Sequence, residues 1–294
     1  MTTTSKMLWQ TIVDADYIPP QDRSVQSLTP ELLSNLGSSD AELRGVFAYP
    51  ILERWISQER YTPAELRAMI TELTQNLALS PDERGTDNVF LRSFSALTLA
   101  TILYFEIEHP FLEEGEVRQV LEQALAYYPA EQDVRGYVPG GPGWIHAVAH
   151  GADLLGVLGL NRYMQVADLE RMMEALATKI APPVAHVYLY NEEQRLVRAV
   201  LWLLSQDLLT LPFISYWLER LTTNQPEGYP ISVESLLEGF PPAIESDVNT
   251  CILHNTRQFL NALYYHLVTA DPLPSLASDL IPLLLEKLGP INAF

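Results

Sequence analysis

The sequence predicts an all-α protein, and three observations carry that prediction. Helix-capping signatures recur along the chain, apolar residues follow them at helical spacing, and the links between helical stretches are short. Thr29-Pro30-Glu31, Ser39-Asp40-Ala41-Glu42, Thr62-Pro63-Ala64-Glu65 and Ser80-Pro81-Asp82-Glu83 each place a hydroxyl at a candidate N-cap. The last three add a glutamate three residues on, and three of the four follow the hydroxyl with proline. Such side chains satisfy the amides that a helix's first turn leaves without partners, and proline has no amide to waste there.

In chain order, the pattern predicts helices over 5–15, 29–36, 40–57, 63–78, 88–106, 114–127, 143–159, 165–180, 191–206, 211–223, 232–238, 246–269 and 275–288. The stretch 40–57 shows the reasoning: Leu43, Val46, Phe47, Ile51, Leu52 and Trp55 form one apolar stripe, which Pro50 is expected to kink. "VAHVYLY" at 184–190 is the one piece that reads as extended. Three stretches differ from amphipathic surface helices. "FSALTLATIL" from Phe94 to Leu103 is apolar nearly all round, the run from Gly143 to Leu160 has polar side-chain atoms only at Trp144, His146, His150 and Asp153, and "RLVRAVLWLL" carries Arg195 and Arg198 on one face. Helices of this kind belong inside a fold. The expectation is a single domain over 1–294, with 1–27 as an N-terminal helix and linker. Its architecture is expected to be a curved two-layer array of antiparallel helix pairs, HEAT-like, with an α/α toroid as the alternative.

Charge and cysteine content narrow the function. The 294 residues hold 18 Lys+Arg against 37 Asp+Glu, a formal net charge of -19, which opposes nucleic-acid binding. Cys251 is the single cysteine, so no internal disulfide and no multi-thiolate metal site can form. The N-terminal residues make a poor signal peptide and the apolar run Ile145–Leu160 is short for a membrane span, so a soluble cytoplasmic protein is expected.

The candidate site lies in "RGYVPGGPGWIHAVAHGADLLGVLGL", residues 135–160. With ~100° per residue on a helix begun at 143, His146, His150 and Asp153 share a stripe about 60° wide. A stripe facing water would favour Lys, Glu or Gln, and none is present. Two imidazoles four apart and a carboxylate one turn on can serve as three ligands for a divalent metal, as acid–base groups, or as a buried network that fixes helix register. Asp87, Arg92, Asp133 and Arg135 lie beside the starts of the two most apolar helices. Arg92 and Arg135 are therefore candidate anion-binding groups and candidate partners for Asp153, which as a buried carboxylate needs a cation or donors. Tyr137 and Trp144 are candidate ligand-stacking rings, and Asp87 with Asp133 could supply a carboxylate pair for glycoside hydrolysis.

Several specific chemistries are excluded. "HAVAH" has Ala147 where a metalloprotease helix needs glutamate, and no Walker A, G-x-S-x-G or dinucleotide fingerprint occurs. A lanthionine-cyclase zinc site needs cysteines that this chain lacks, and Gly151 and Ala152 separate the His and Asp that an HD phosphohydrolase holds adjacent.

The blocks "LTPELLSNLGSSDAELRGVFAYPILERWI", "GTDNVFLRSFSALTLATIL", "DVRGYVPGGPGWIHAVAHGADLL", "NEEQRLVRAVLWLL" and "NTRQFLNALYYHL" together resemble the bacterial domain-of-unknown-function family 2785. The resemblance covers about Leu28 to Leu267 in the family's order. It implies a helical protein and carries no activity, substrate or cofactor. The expectation for function is a helical scaffold whose polar groove binds a protein, a peptide or a small anionic ligand, without nucleic acid or membrane. The alternative is a hydrolase, metal-dependent or acid–base, centred on His146, His150 and Asp153.

Overall fold

The structure is a computed structural model and describes residues 3–223, 248–271 and 274–292. The described residues form twelve α-helices, one π-helical segment and a single pair of two-residue strands, so the chain is all-α. They gather into two compact units, Met1–Tyr163 and Met164–Phe294.

The first unit contains α1 (Thr3–Asp14), α2 (Val25–Asn35), a π-helix (Leu43–Ala48) that runs into α3 (Tyr49–Ser57), α4 (Pro63–Leu77), α5 (Asn88–Glu108), α6 (Glu114–Ala130), strands β1 (Tyr137–Val138) and β2 (Gly143–Trp144), and α7 (Ala147–Gly159). α5 and α7 form its centre: they pack along each other, with α3 and α4 also against α5 and α6 against α7. Every residue of α7 is buried, as its apolar composition predicts. Close packing on α6 explains Gly151. A Cβ there would come within 2.2 Å of the Tyr128 ring, whose hydroxyl donates to the Val148 carbonyl at 2.9 Å. α5 is long and apolar enough to cross a membrane by length and composition, yet its apolar surface is largely covered by these neighbours, and Arg92 and Glu106 on it are fully buried in ion pairs.

Capping chemistry sets most boundaries. Thr62 and Glu65 close a full capping box at the start of α4, as the sequence predicts. Three other expected starts are displaced. Helix α2 begins four residues before Thr29, because Ser24 and Ser27 form a reciprocal box upstream and Pro30 is absorbed inside the helix. The carboxylate of Asp40, not the hydroxyl of Ser39, accepts from the amides of Glu42 and Leu43. Ser80 takes a left-handed φ of 48° and leads into a turn, so no helix starts there. The kink expected at Pro50 is resolved one turn earlier. Proline has no N–H for the Val46 carbonyl, and the chain widens into the π-helix, where the Tyr49 amide reaches back five residues to Arg44.

The second unit contains α8 (Val166–Ile180), α9 (Glu192–Leu204), α10 (Leu211–Thr223), α11 (Val248–Thr269) and α12 (Ala277–Asn292). Trp217 is buried at its core, donating to the Met173 carbonyl at 2.9 Å and meeting Phe259 edge-on. The helix expected at 232–238 and the first residues of the one expected at 246–269 lie outside the described residues. "VAHVYLY" forms no strand. Asn255 of α11 takes the place of a neighbouring strand, accepting from the Tyr188 amide at 3.0 Å and donating to the His186 carbonyl at 2.9 Å.

Candidate functional site

The single strand pair of the described residues lies in front of α7. Tyr137 pairs with Trp144 and Val138 with Gly143 in a short hairpin, turned by Gly140 at φ 67° and Gly143 at φ 73°. Glycine is needed at Gly143 because its backbone is left-handed and a Cβ would press on Ala41 at 3.2 Å. The sequence reading began α7 at Gly143. Residues 143–146 are in fact occupied by this hairpin and its exit: both the Ile145 and His146 amides bond the Gly136 carbonyl, and α7 starts at Ala147.

His146 is therefore the N-cap, in the left-handed region at φ 51° and ψ 31°, and the helical-wheel argument does not apply to it. Its ring still reaches His150 edge-on, with centroids 5.7 Å apart. On the other side it lies 4.3 Å from the Trp144 ring, which is in turn 4.8 Å from Tyr137. His150 continues the series inward, edge-on to Phe94 at 5.0 Å, and Phe94 meets Tyr49 at 6.4 Å. Four rings thus run from Trp144, 47% exposed, through His146 and His150 to Phe94 in the buried middle of α5. A non-glycine residue held at positive φ beside such a series is a departure from relaxed backbone that concentrates at functional sites.

The proton on His150 Nδ1 follows from its neighbour. The Ser93 hydroxyl lies 2.5 Å from the Ile145 carbonyl and 2.9 Å from His150 Nδ1. A carbonyl only accepts, and serine has one proton, so that proton goes to Ile145. His150 must then donate from Nδ1 to Ser93, so this bond fixes a proton on Nδ1.

The charged candidates are arranged otherwise than expected. Arg92 is fully buried and gives Nε and one terminal nitrogen to Glu131 at 2.6 and 2.9 Å, and the other terminal nitrogen to the Leu79 carbonyl at 2.9 Å. Burial alone would lower its pKa, but the Glu131 carboxylate outweighs it and holds the guanidinium above its usual value. All three guanidinium nitrogens are engaged, and Glu131 is the partner of this cation. Asp133, also buried, receives the Gly85 amide at 3.0 Å and the Arg135 guanidinium at 2.5 to 3.0 Å. Arg135 is thus Asp133's partner, tying the loop before α5 to the loop before the hairpin. Asp87 caps α5 without a side-chain cap bond and is exposed. Asp153 is buried on α7, one turn beyond His150, while Arg92 and Arg135 are paired with Glu131 and Asp133. Among the described residues no group of three or more His, Cys, Asp or Glu side chains is placed to hold a metal ion, so His146, His150 and Asp153 do not assemble as the three-ligand set that their spacing suggested.

Sequence reasoning missed three contributors. Ser93 reads as one small residue in an apolar helix. Glu131 could have been found by asking which acid neutralises an arginine on a buried helix. Arg44 has no local signal. It comes from the π-helix, is 1% exposed, donates to the Ser38, Pro142 and Trp144 carbonyls, and lies flat over Phe90 at 3.9 Å. Burial lowers its pKa to about 10.

Residues 77–265 match the sequence profile of a family described as protein of unknown function, DUF2785. The chain belongs to this family. The matched segment of this DUF2785 member includes Ser93, Glu131, the hairpin, His146, His150 and Asp153, while Arg44 lies before it. No curated protein and no solved structure matches the chain.

Proposed function

We propose that this DUF2785 member is a binding protein, a helical scaffold that engages a protein or peptide partner through the rings at the junction of hairpin and α7. Trp144 and Tyr137 supply the contact face and His146 its polar edge. The observation that carries this reading is the commitment of the charged groups, Arg92 to Glu131 and Arg135 to Asp133, while the Tyr137–Trp144 pair presents a half-exposed indole. Large rings with a polar edge are the residues that anchor protein interfaces. A small anion, by contrast, would have to compete with Glu131 and Asp133 for its cations.

A second reading, acid–base hydrolysis, is favoured by one observation, the Ser93 bond that orients the His150 ring through its Nδ1–H. One experiment separates the two. A partner recovered with the wild-type chain is titrated calorimetrically against Trp144→Ala and His150→Ala. Loss of an anchoring tryptophan costs about 2 kcal/mol or more, roughly thirtyfold in affinity. Undiminished affinity of Trp144→Ala would refute the binding reading. Turnover of the partner that disappears in His150→Ala would establish the hydrolase instead.

A further inference from the structure

A groove of about 330 Å³ runs between α4 and α6 and shares no residue with the hairpin site. Its floor is apolar, with Ile70, Leu112 and Val120, and its walls carry Gln75 from α4 and Gln119 and Gln123 from α6. At one end it continues into a second depression of about 200 Å³, with which it shares Ala78 and Gln123. The charged residues on its lining, Arg67 and Glu116, neutralise each other at 2.7 Å. Thr71 and Thr74 donate their hydroxyl protons to the carbonyls of Arg67 and Ile70 and are left as acceptors. The three glutamine carboxamides have no hydrogen-bond partner among the described residues, although each side chain offers two N–H donors and a carbonyl acceptor.

We propose that this groove binds an extended peptide segment by its main chain. The reading goes beyond the hairpin site and does not depend on it. Each carboxamide offers a donor and an acceptor and can bond both the N–H and the C=O of one residue, which an extended chain turns to the same side. Gln119 and Gln123 are four residues apart, about 6 Å along a helix. An extended chain presents equivalent groups on one side every second residue, about 6.6–6.8 Å, which is close to that spacing. From Arg67 to Ala78 the α4 wall is about 16 Å long, the length of roughly five extended residues. The lining excludes the other ligand classes. It has no uncommitted cation for a phosphate, and no ring lines the 330 Å³ groove to stack a sugar. Small apolar side chains of the peptide would enter over Ile70 and Val120, and basic residues flanking the segment suit a chain of net charge -19.

Main-chain recognition does not require one sequence, so a generic probe tests it. The probe is a capped heptapeptide with lysine at both ends and alternating alanine and valine between them. Its counterpart is methylated on alternate backbone nitrogens. The full-length protein, labelled with ¹⁵N, is titrated with each while the side-chain carboxamide signals are followed by NMR. The signals of Gln75, Gln119 and Gln123 are expected to shift saturably with the first peptide. Binding should weaken about tenfold or more with the methylated one, and likewise in Gln119→Leu/Gln123→Leu, since each net hydrogen bond is worth about 1 kcal/mol. Both glutamines are exposed, and an unchanged circular dichroism melt verifies that the variant is folded. The proposal is overturned by the absence of saturable shifts, or by equal binding of the methylated peptide. It is equally overturned if a cello-oligosaccharide shifts these signals in the peptide's place, or if they move with protein concentration alone, which would make the occupant a second copy.

Discussion

Replacing Glu131 by leucine tests whether the Arg92–Glu131 pair holds the centre of the first unit. The two side chains are 0% and 1% exposed, and two parallel bonds of 2.6 and 2.9 Å join them. Glu131 also accepts the Asp133 amide at 2.9 Å, so its carboxylate links the end of α6 to the loop that leads to the hairpin. Leucine fills a similar volume but strands a guanidinium where water does not reach, and breaking a buried pair in this way costs about 3–5 kcal/mol. A Coulomb estimate agrees: unit charges 4 Å apart interact by about 4 kcal/mol at an effective dielectric constant of 20. At roughly 2–4 °C per kcal/mol for a unit of this size, the melting transition should fall by about 6–20 °C. Urea denaturation followed by circular dichroism measures the loss, and hydrogen exchange of the α5 amides assigns it to the first unit. Arg92→Met combined with Glu131→Leu should recover most of the stability, since an apolar replacement of a whole buried pair is often neutral or better. A single variant that loses less than about 1 kcal/mol, or a double variant whose loss equals the sum of the singles, would refute the reasoning.

Two further outcomes follow from the same packing and electrostatics. Gly151→Ala improves helix propensity by up to about 1 kcal/mol, yet it should destabilise by roughly 1–3 kcal/mol, because the new methyl displaces the Tyr128 ring at 2.2 Å and strains its bond to Val148; stabilisation measured in the same urea assay would contradict the packing. In acid, the α4 cap should weaken. The amide and hydroxyl of Thr62 hold the Glu65 carboxyl below its ordinary 4.5, so its contribution is complete above that pH and is lost as pH falls through the folded value. Glu192, pushed up by burial in the second unit, acts in the opposite sense, so the test is a difference. The stability gap between wild type and Glu65→Gln, small because the group is only half-buried, should be present near pH 7 and shrink as pH falls below 4.5. A gap that widens in acid would show the sign to be wrong.

The sequence by itself determined the elements of this protein. Capping boxes and 3.6-residue periodicity are local, so Thr62-Pro63-Ala64-Glu65 specifies the start of α4 whatever packs against it, and the apolar composition of α5 and α7 already required their burial. The importance of the stretch around His146 and His150 was legible for the same reason, since imidazoles on an otherwise apolar run demand an explanation. Tertiary structure alone decided which groups meet. Arg92 pairs with Glu131 across 39 residues of sequence, and Arg44 braces the hairpin from about 100 residues away; no periodicity encodes either. It also decided where α7 begins. A helical wheel assumes an unbroken helix from Gly143, but strand pairing of Tyr137 with Trp144 claims the backbone first and leaves His146 in a left-handed cap. Periodicity reports the average environment of a face, whereas a site depends on individual partners, and those are chosen by three-dimensional proximity.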